Sequence, residues 1–142
     1  MADQGFVVND AEVTAIGTSY AVGKAIKLHA DTASDANSKA MPSACYLSHL
    51  EIQLLETSTT VSNVSAFLCW DATGDDPLTA EAVEVSLHDA LTTASTMMTA
   101  VAMDVWIREP AAATSGEVYL FLKVDAGAVT LKKARLYWVG RQ

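Results

Sequence analysis

Residues 117–140, EVYLFLKVDAGAVTLKKARLYWVG, contain two runs of period two on either side of Asp125-Ala126-Gly127. In the first run, Val118, Leu120, Leu122 and Val124 share one face, and Tyr119, Phe121 and Lys123 share the other. In the second, Thr130, Lys132, Ala134, Leu136 and Trp138 stand opposite Val129, Leu131, Lys133, Arg135 and Tyr137. Successive side chains of an extended chain point to opposite faces, so these runs suit strands rather than helices. The intervening turn predicts a β-hairpin that closes a β-sandwich.

The same grammar recurs upstream. Val64, Ala66, Leu68 and Trp70 share one parity, as do Val83, Val85 and Leu87. Thr96–Arg108 alternates too, although an amphipathic helix is its rival. Cys45–Glu56 alternates through Cys45, Leu47 and His49, then through Ile52 and Leu54, with a shift between Leu50 and Ile52 that predicts a bulge or a strand buried on both faces. Residues 31–43, DTASDANSKAMPS, form the clearest loop, and its length points to a partner contact. Residues 71–79 form a turn around Gly74 and Pro77. About eight or nine short strands at regular spacing predict an all-β, antiparallel β-sandwich of jelly-roll type. Residues 1–13 are expected to be an N-terminal arm or edge strand, and residues 14–142 the sandwich domain.

With 142 residues, the chain has room for one domain that buries roughly two-thirds of its unfolded surface. Its formal net charge of -8 argues against nucleic acid, whose phosphates an acidic surface repels. Every apolar window is interrupted before a membrane-spanning length, and the start, MADQGFVVND, lacks the pattern of a secretory signal. Charge is unevenly divided. Residues 1–120 hold 16 acidic and 4 basic side chains, whereas residues 121–142 hold 1 acidic and 5 basic. That division predicts either salt-sensitive attraction between copies or a sheet face that neutralises its neighbour.

Candidate chemical sites are sparse. Asp71, Asp75 and Asp76 place hard oxygen ligands on one turn, but the spacing lacks the glycine and distal glutamate of an EF-hand loop. Capping of backbone N–H groups is the simpler role for them. His29, His49 and His88 lie in or beside strands, with neither an HExxH nor a CxxC motif to make a metal site. Cys45 and Cys69 each sit within an apolar run, as buried thiols do. No nucleophile elbow or phosphate-binding loop is present. The expectation is therefore no enzyme, no catalytic residue, no metal and no cofactor. A cupin-like metalloprotein would need these histidines to converge with carboxylates.

The segment YLFLKVDAGAVTLKKARLYW, residues 119–138, resembles the closing hairpin of small jelly-roll capsid decoration, or cement, proteins of tailed bacteriophages. FLCWDATGDDPLT, residues 67–79, and the strand TMMTAVAMDVWI are compatible with that pattern. The resemblance covers about half of the chain and carries no catalytic motif. It implies a non-enzymatic virion protein that binds the major capsid protein on the outer capsid surface, stabilises the head and assembles as a homotrimer, with no nucleic acid or membrane partner. The candidate interface residues are Phe6, Val7 and Val8 in the arm, Asp104 and Trp106, and the basic Lys132, Lys133 and Arg135. The alternatives are a tail-associated virion component and a carbohydrate-binding module. The latter would use Trp70, Trp106, Tyr119, Phe121, Tyr137 or Trp138 as a sugar platform.

Overall fold

Extended backbone dominates the computed structural model, which describes residues 3–42, 44–56, 63–75, 77–78, 83–86, 96–107 and 117–140. Its strands are β1 (Gln4–Asn9), β2 (Val13–Ile16), β3 (Ile26–Leu28), β4 (Cys45–Glu56), β5 (Asn63–Cys69), β6 (Val83–Ser86), β7 (Thr96–Ile107), β8 (Val118–Val124) and β9 (Val129–Gly140). One 3-10 turn, Val22–Lys24, precedes β3. The region with a helical rival, Thr96–Ile107, is strand throughout.

Pairing is antiparallel everywhere among these strands. A large sheet has the order β1-β9-β4-β7, with β2 also on β9, and a small sheet has the order β3-β8-β5-β6. Apart from β5 and β6, consecutive strands of the eight-strand framework alternate between the two sheets. This is the jelly-roll arrangement, in which two four-stranded sheets face each other across one core.

The topology corrects the reading of residues 117–140 as a hairpin. β8 pairs with β3 and β5, whereas β9 pairs with β1, β2 and β4. Asp125-Ala126-Gly127 therefore arches from one sheet to the other, with Gly127 at a φ of 71° that glycine adopts without a Cβ clash. Both strands alternate as expected, but their inward faces meet across the core instead of lying in one sheet.

Two irregularities set the outward face. The register of β4 shifts between Leu47 and His49, so Cys45, Leu47, Leu50, Ile52 and Leu54 all point inward and His49 points outward. Of the two readings of this strand's broken alternation, a bulge or burial on both faces, the structure has a bulge, and it lies at Ser48 rather than between Leu50 and Ile52. In β9, Leu131 pairs with Leu54 and Lys133 with Gln53, leaving Lys132 as the extra residue. Beyond that bulge, Ala134, Leu136 and Trp138 point inward, and Arg135 and Tyr137 point outward.

Leu28, Leu47, Ile52, Leu54, Leu120, Leu131 and Leu136 are completely buried between the sheets. Each such side chain contributes about 1.5–3 kcal/mol relative to exposure. The loop after β3 closes the β1 side of this core. Val8 and His29 exchange backbone hydrogen bonds of 2.9 and 3.2 Å, and the Lys39 N–H donates to the Phe6 carbonyl at 2.8 Å. Met41 enters the core, and the Trp138 indole N–H donates to the Lys39 carbonyl at 3.1 Å. The edge of β1 is thus partly capped by its own chain.

Candidate interaction surface

Register dictates which side chains share the outer face of the large sheet. Phe6 pairs with Tyr137, and Tyr137 with His49, so these three form one row across β1, β9 and β4. Gln4, Val139, Tyr46 and Trp106 form the next row across β1, β9, β4 and β7. In the first row, His49 and Tyr137 stack with centroids 4.2 Å apart and planes at 12°, and Phe6 lies 5.2 Å from Tyr137. In the second, Tyr46 and Trp106 lie 5.1 Å apart. Cross-strand aromatic neighbours of this kind stabilise a sheet by a few tenths to about 1 kcal/mol each.

A cleft of about 360 Å³ opens beside these rows. It is lined by Gln4, Gly5, Phe6, Asn37, Ser48, His49, Tyr137, Trp138 and Val139. The Ser48 bulge brings its hydroxyl 3.1 Å from His49 Nδ1, and Asn37 forms the wall contributed by the loop after β3. Gly5 keeps this end of the sheet thin. A Cβ there would lie 2.9 Å from both the Trp138 ring and Lys39 Cβ.

The sequence-based interface residues have different fates. Val7 and Val8 are fully buried within this chain, and Phe6 is half-buried in the cleft. Pairing of Gln4–Asn9 with β9 consumes the backbone groups that a detached arm would offer, so this segment is an edge strand. Lys132 binds Glu12 at 2.7 Å, Lys133 lies 3.8 Å from Asp10, and Arg135 is paired with Asp35. Lys123 sits 4.9 Å over the Tyr20 ring. The basic C-terminal region therefore neutralises its own chain, and Arg141 lies outside the described residues. Asp104 belongs to β7, but its side chain is outside the described part. Trp106 is 63% exposed.

Arg135 ties several of these features together. Its guanidinium lies 5.0 Å over Phe6. The hydrogen bond with Tyr137 raises its pKa most, burial opposes that rise, and Asp35 adds to it. Burial pushes the Cys45 thiol up to about 11. Cys45 and Cys69 are both buried and without a disulfide.

Other candidate ligands are occupied or separated. Asp71 Oδ1 accepts from the N–H groups of Gly74 and Asp75, both at 3.0 Å, and Asp75 Oδ2 accepts from the Thr73 hydroxyl at 2.8 Å. Asp71 thus caps its turn, while Asp76 and His88 lie outside the described residues. His29 is bonded beside β3, away from the outward row that holds His49. Among the described residues, no group of three or more His, Cys, Asp or Glu side chains is placed to hold a metal ion. Among them also, no helix is long and apolar enough to cross a membrane.

Of the proposed aromatic platform, Trp138 and Phe121 are buried and Trp70 packs against the core. Phe121 stacks on Phe67 at 4.8 Å, across the small sheet. Only Tyr137 and Trp138 of that set reach the cleft. His49, Ser48, Asn37 and Gln4 were not expected there. The bulge that turns His49 outward was visible as a break in alternation, but its position was not.

No family model matches the chain, and no curated protein matches it. Solved structures with similar arrangements include Eiger TNF from S. frugiperda, at 12% identity and a TM-score of 0.48, covering 99% of this chain and 93% of that one. The exo-beta-1,3-galactanase of Phanerochaete chrysosporium, solved with galactose, is 13% identical with a TM-score of 0.42. It matches 96% of this chain but only 27% of its own. The Tobacco streak virus coat protein dimer is 10% identical with a TM-score of 0.38, covering 98% and 86% of the two chains. Likenesses this distant leave the function to be argued from this chain's own surface.

Proposed function

We propose that the chain is a non-enzymatic structural protein of a virus particle that docks on the outer capsid surface through the β7 side of its large sheet. The observation that carries this reading is Trp106, which is 63% exposed beside Tyr46 on a twelve-residue strand. Among the described residues, β7 pairs with β4 alone. A strand edge offers a row of backbone donors and acceptors, and a flanking tryptophan supplies an anchor of the kind that dominates protein interfaces. Many copies on one particle multiply a modest single contact. The resemblance of residues 119–138 to capsid decoration proteins supports the head, and the major capsid protein as partner.

The test is solution mass by light scattering, followed by cosedimentation with heads that lack this protein. The expected result is a homotrimer, three times the 15.0 kDa chain, that binds heads. Trp106→Ala should weaken head binding at least about tenfold, or about 1.4 kcal/mol, while the loss of its Tyr46 contact lowers fold stability by no more than a few tenths to about 1 kcal/mol. A strict monomer that ignores heads would overturn the reading.

A further inference from the structure

We propose that the cleft formed by β1, β9 and the β4 bulge binds a neutral pyranose unit of a glycan. Its volume of about 360 Å³ falls within the roughly 300–1,000 Å³ typical of small-molecule sites. Among the described residues, the lining contains no carboxylate, ammonium or guanidinium group. Two cations stand behind the aromatic walls, Arg135 over Phe6 and Lys39 over Trp138, and each is already paired with a carboxylate, Arg135 with Asp35 and Lys39 with Asp3. A phosphate or carboxylate ligand would have to compete with Asp35 and Asp3 for those cations, against a chain of net charge -8.

A purely apolar ligand fits no better. Gln4 and Asn37, whose side chains carry amides, line the cleft together with Ser48 and His49, which carry a hydroxyl and an imidazole. The hydrogen bonds formed by Gln4 and Asn37 among the described residues use their backbone N–H groups, so the amides keep their donors and acceptors available. Covering those amides with hydrocarbon would leave buried polar groups unsatisfied. A pyranose matches both requirements. Its C–H faces suit the aromatic walls, and its hydroxyls both donate and accept.

The walls are organised before any ligand arrives. Tyr137 is stacked on His49 and flanked by Phe6, and the guanidinium over Phe6 belongs to Arg135, which Asp35 holds from the loop. Little ordering then remains to oppose binding. The cleft lies toward β1, whereas Trp106 is on β7 at the opposite edge of the sheet. The inference is therefore independent of the capsid-docking reading.

The experiment is a 15N NMR titration with methyl β-D-glucopyranoside, methyl β-D-galactopyranoside and methyl α-D-mannopyranoside, each to about 50 mM, because single-sugar affinities are expected in the millimolar range. At least one glycoside should give saturable shifts at Phe6, Asn37, Ser48 and His49. Asn37→Ala and His49→Ala should each weaken it about tenfold or more, while Trp106→Ala leaves it unchanged. Asn37 is in a surface loop, so its variant keeps the test independent of sheet stability. No saturable shift with any of the three, or equal affinity in both cleft variants, would overturn the proposal.

Discussion

At the scale of single residues, the large sheet depends on the absence of one side chain. Gly5 faces Trp138 in register, and the indole lies where a Cβ would project. The constraint comes from both sides, because Lys39 of the neighbouring loop is equally close. The backbone cannot yield easily, since Lys39 N–H is bonded to the next residue, Phe6. Gly5→Ala should therefore lower stability by about 1–3 kcal/mol, the usual penalty of an overpacked core. Urea unfolding measures this directly, and an unchanged midpoint would show that the loop shifts freely. The thiol of Cys45 illustrates the same close environment, in which burial favours its neutral form.

At the scale of elements, the segment after β3 acts as a clasp over β1 and β9. It holds β1 through backbone hydrogen bonds, receives the Trp138 indole and sends Asp35 to Arg135. The two charged side chains are only 13% and 23% exposed. Removing one leaves the other partly desolvated and alone, which costs more than loss of a surface pair. Asp35→Ala should destabilise the protein by about 1–3 kcal/mol. A double-mutant cycle with Arg135→Ala should show coupling, with the double variant less impaired than the sum of the single ones. Additive losses would mean that the clasp is held by its backbone bonds alone. Asp71 has a comparable local task, fastening the turn that lets Gly74 approach Phe67 and Phe121.

For the whole molecule, charge is arranged within the chain. The acidic excess of the first 120 residues meets the basic terminal strand through Glu12, Asp10 and Asp35. That arrangement favours the second of the two sequence-based accounts, in which a sheet face neutralises its neighbour. Attraction between copies through Lys132, Lys133 and Arg135 would first have to break these pairs. The oligomer mass is accordingly expected to stay constant between low and high salt, with contacts carried by apolar surface that salt does not screen. Sedimentation across a salt series checks this, and dissociation at high salt would restore the charge-driven account.

Much of the architecture was legible along the chain, for a local reason. The pleat imposes period two on any half-buried strand, so β8 and β9 could be read from their own side chains, whereas β7 also suits an amphipathic helix and its pairing with β4 decides for a strand. The parity of Leu47 and His49 could not, because the Ser48 bulge is fixed by the register with β7 and β9 on either side. Nor could the turn at Asp125-Ala126-Gly127 reveal its partner strands. A tight turn joins a hairpin or arches between sheets with similar residues, and burial of both inward faces across one core decides between them. The cleft is the least legible feature, since Phe6, Asn37, His49 and Tyr137 come from four separate stretches. The sequence by itself determined an all-β chain with strands of known alternation. Only the tertiary structure decided sheet membership, the neutralisation of the basic strand and the assembly of the cleft, because each depends on pairings between residues far apart in the chain.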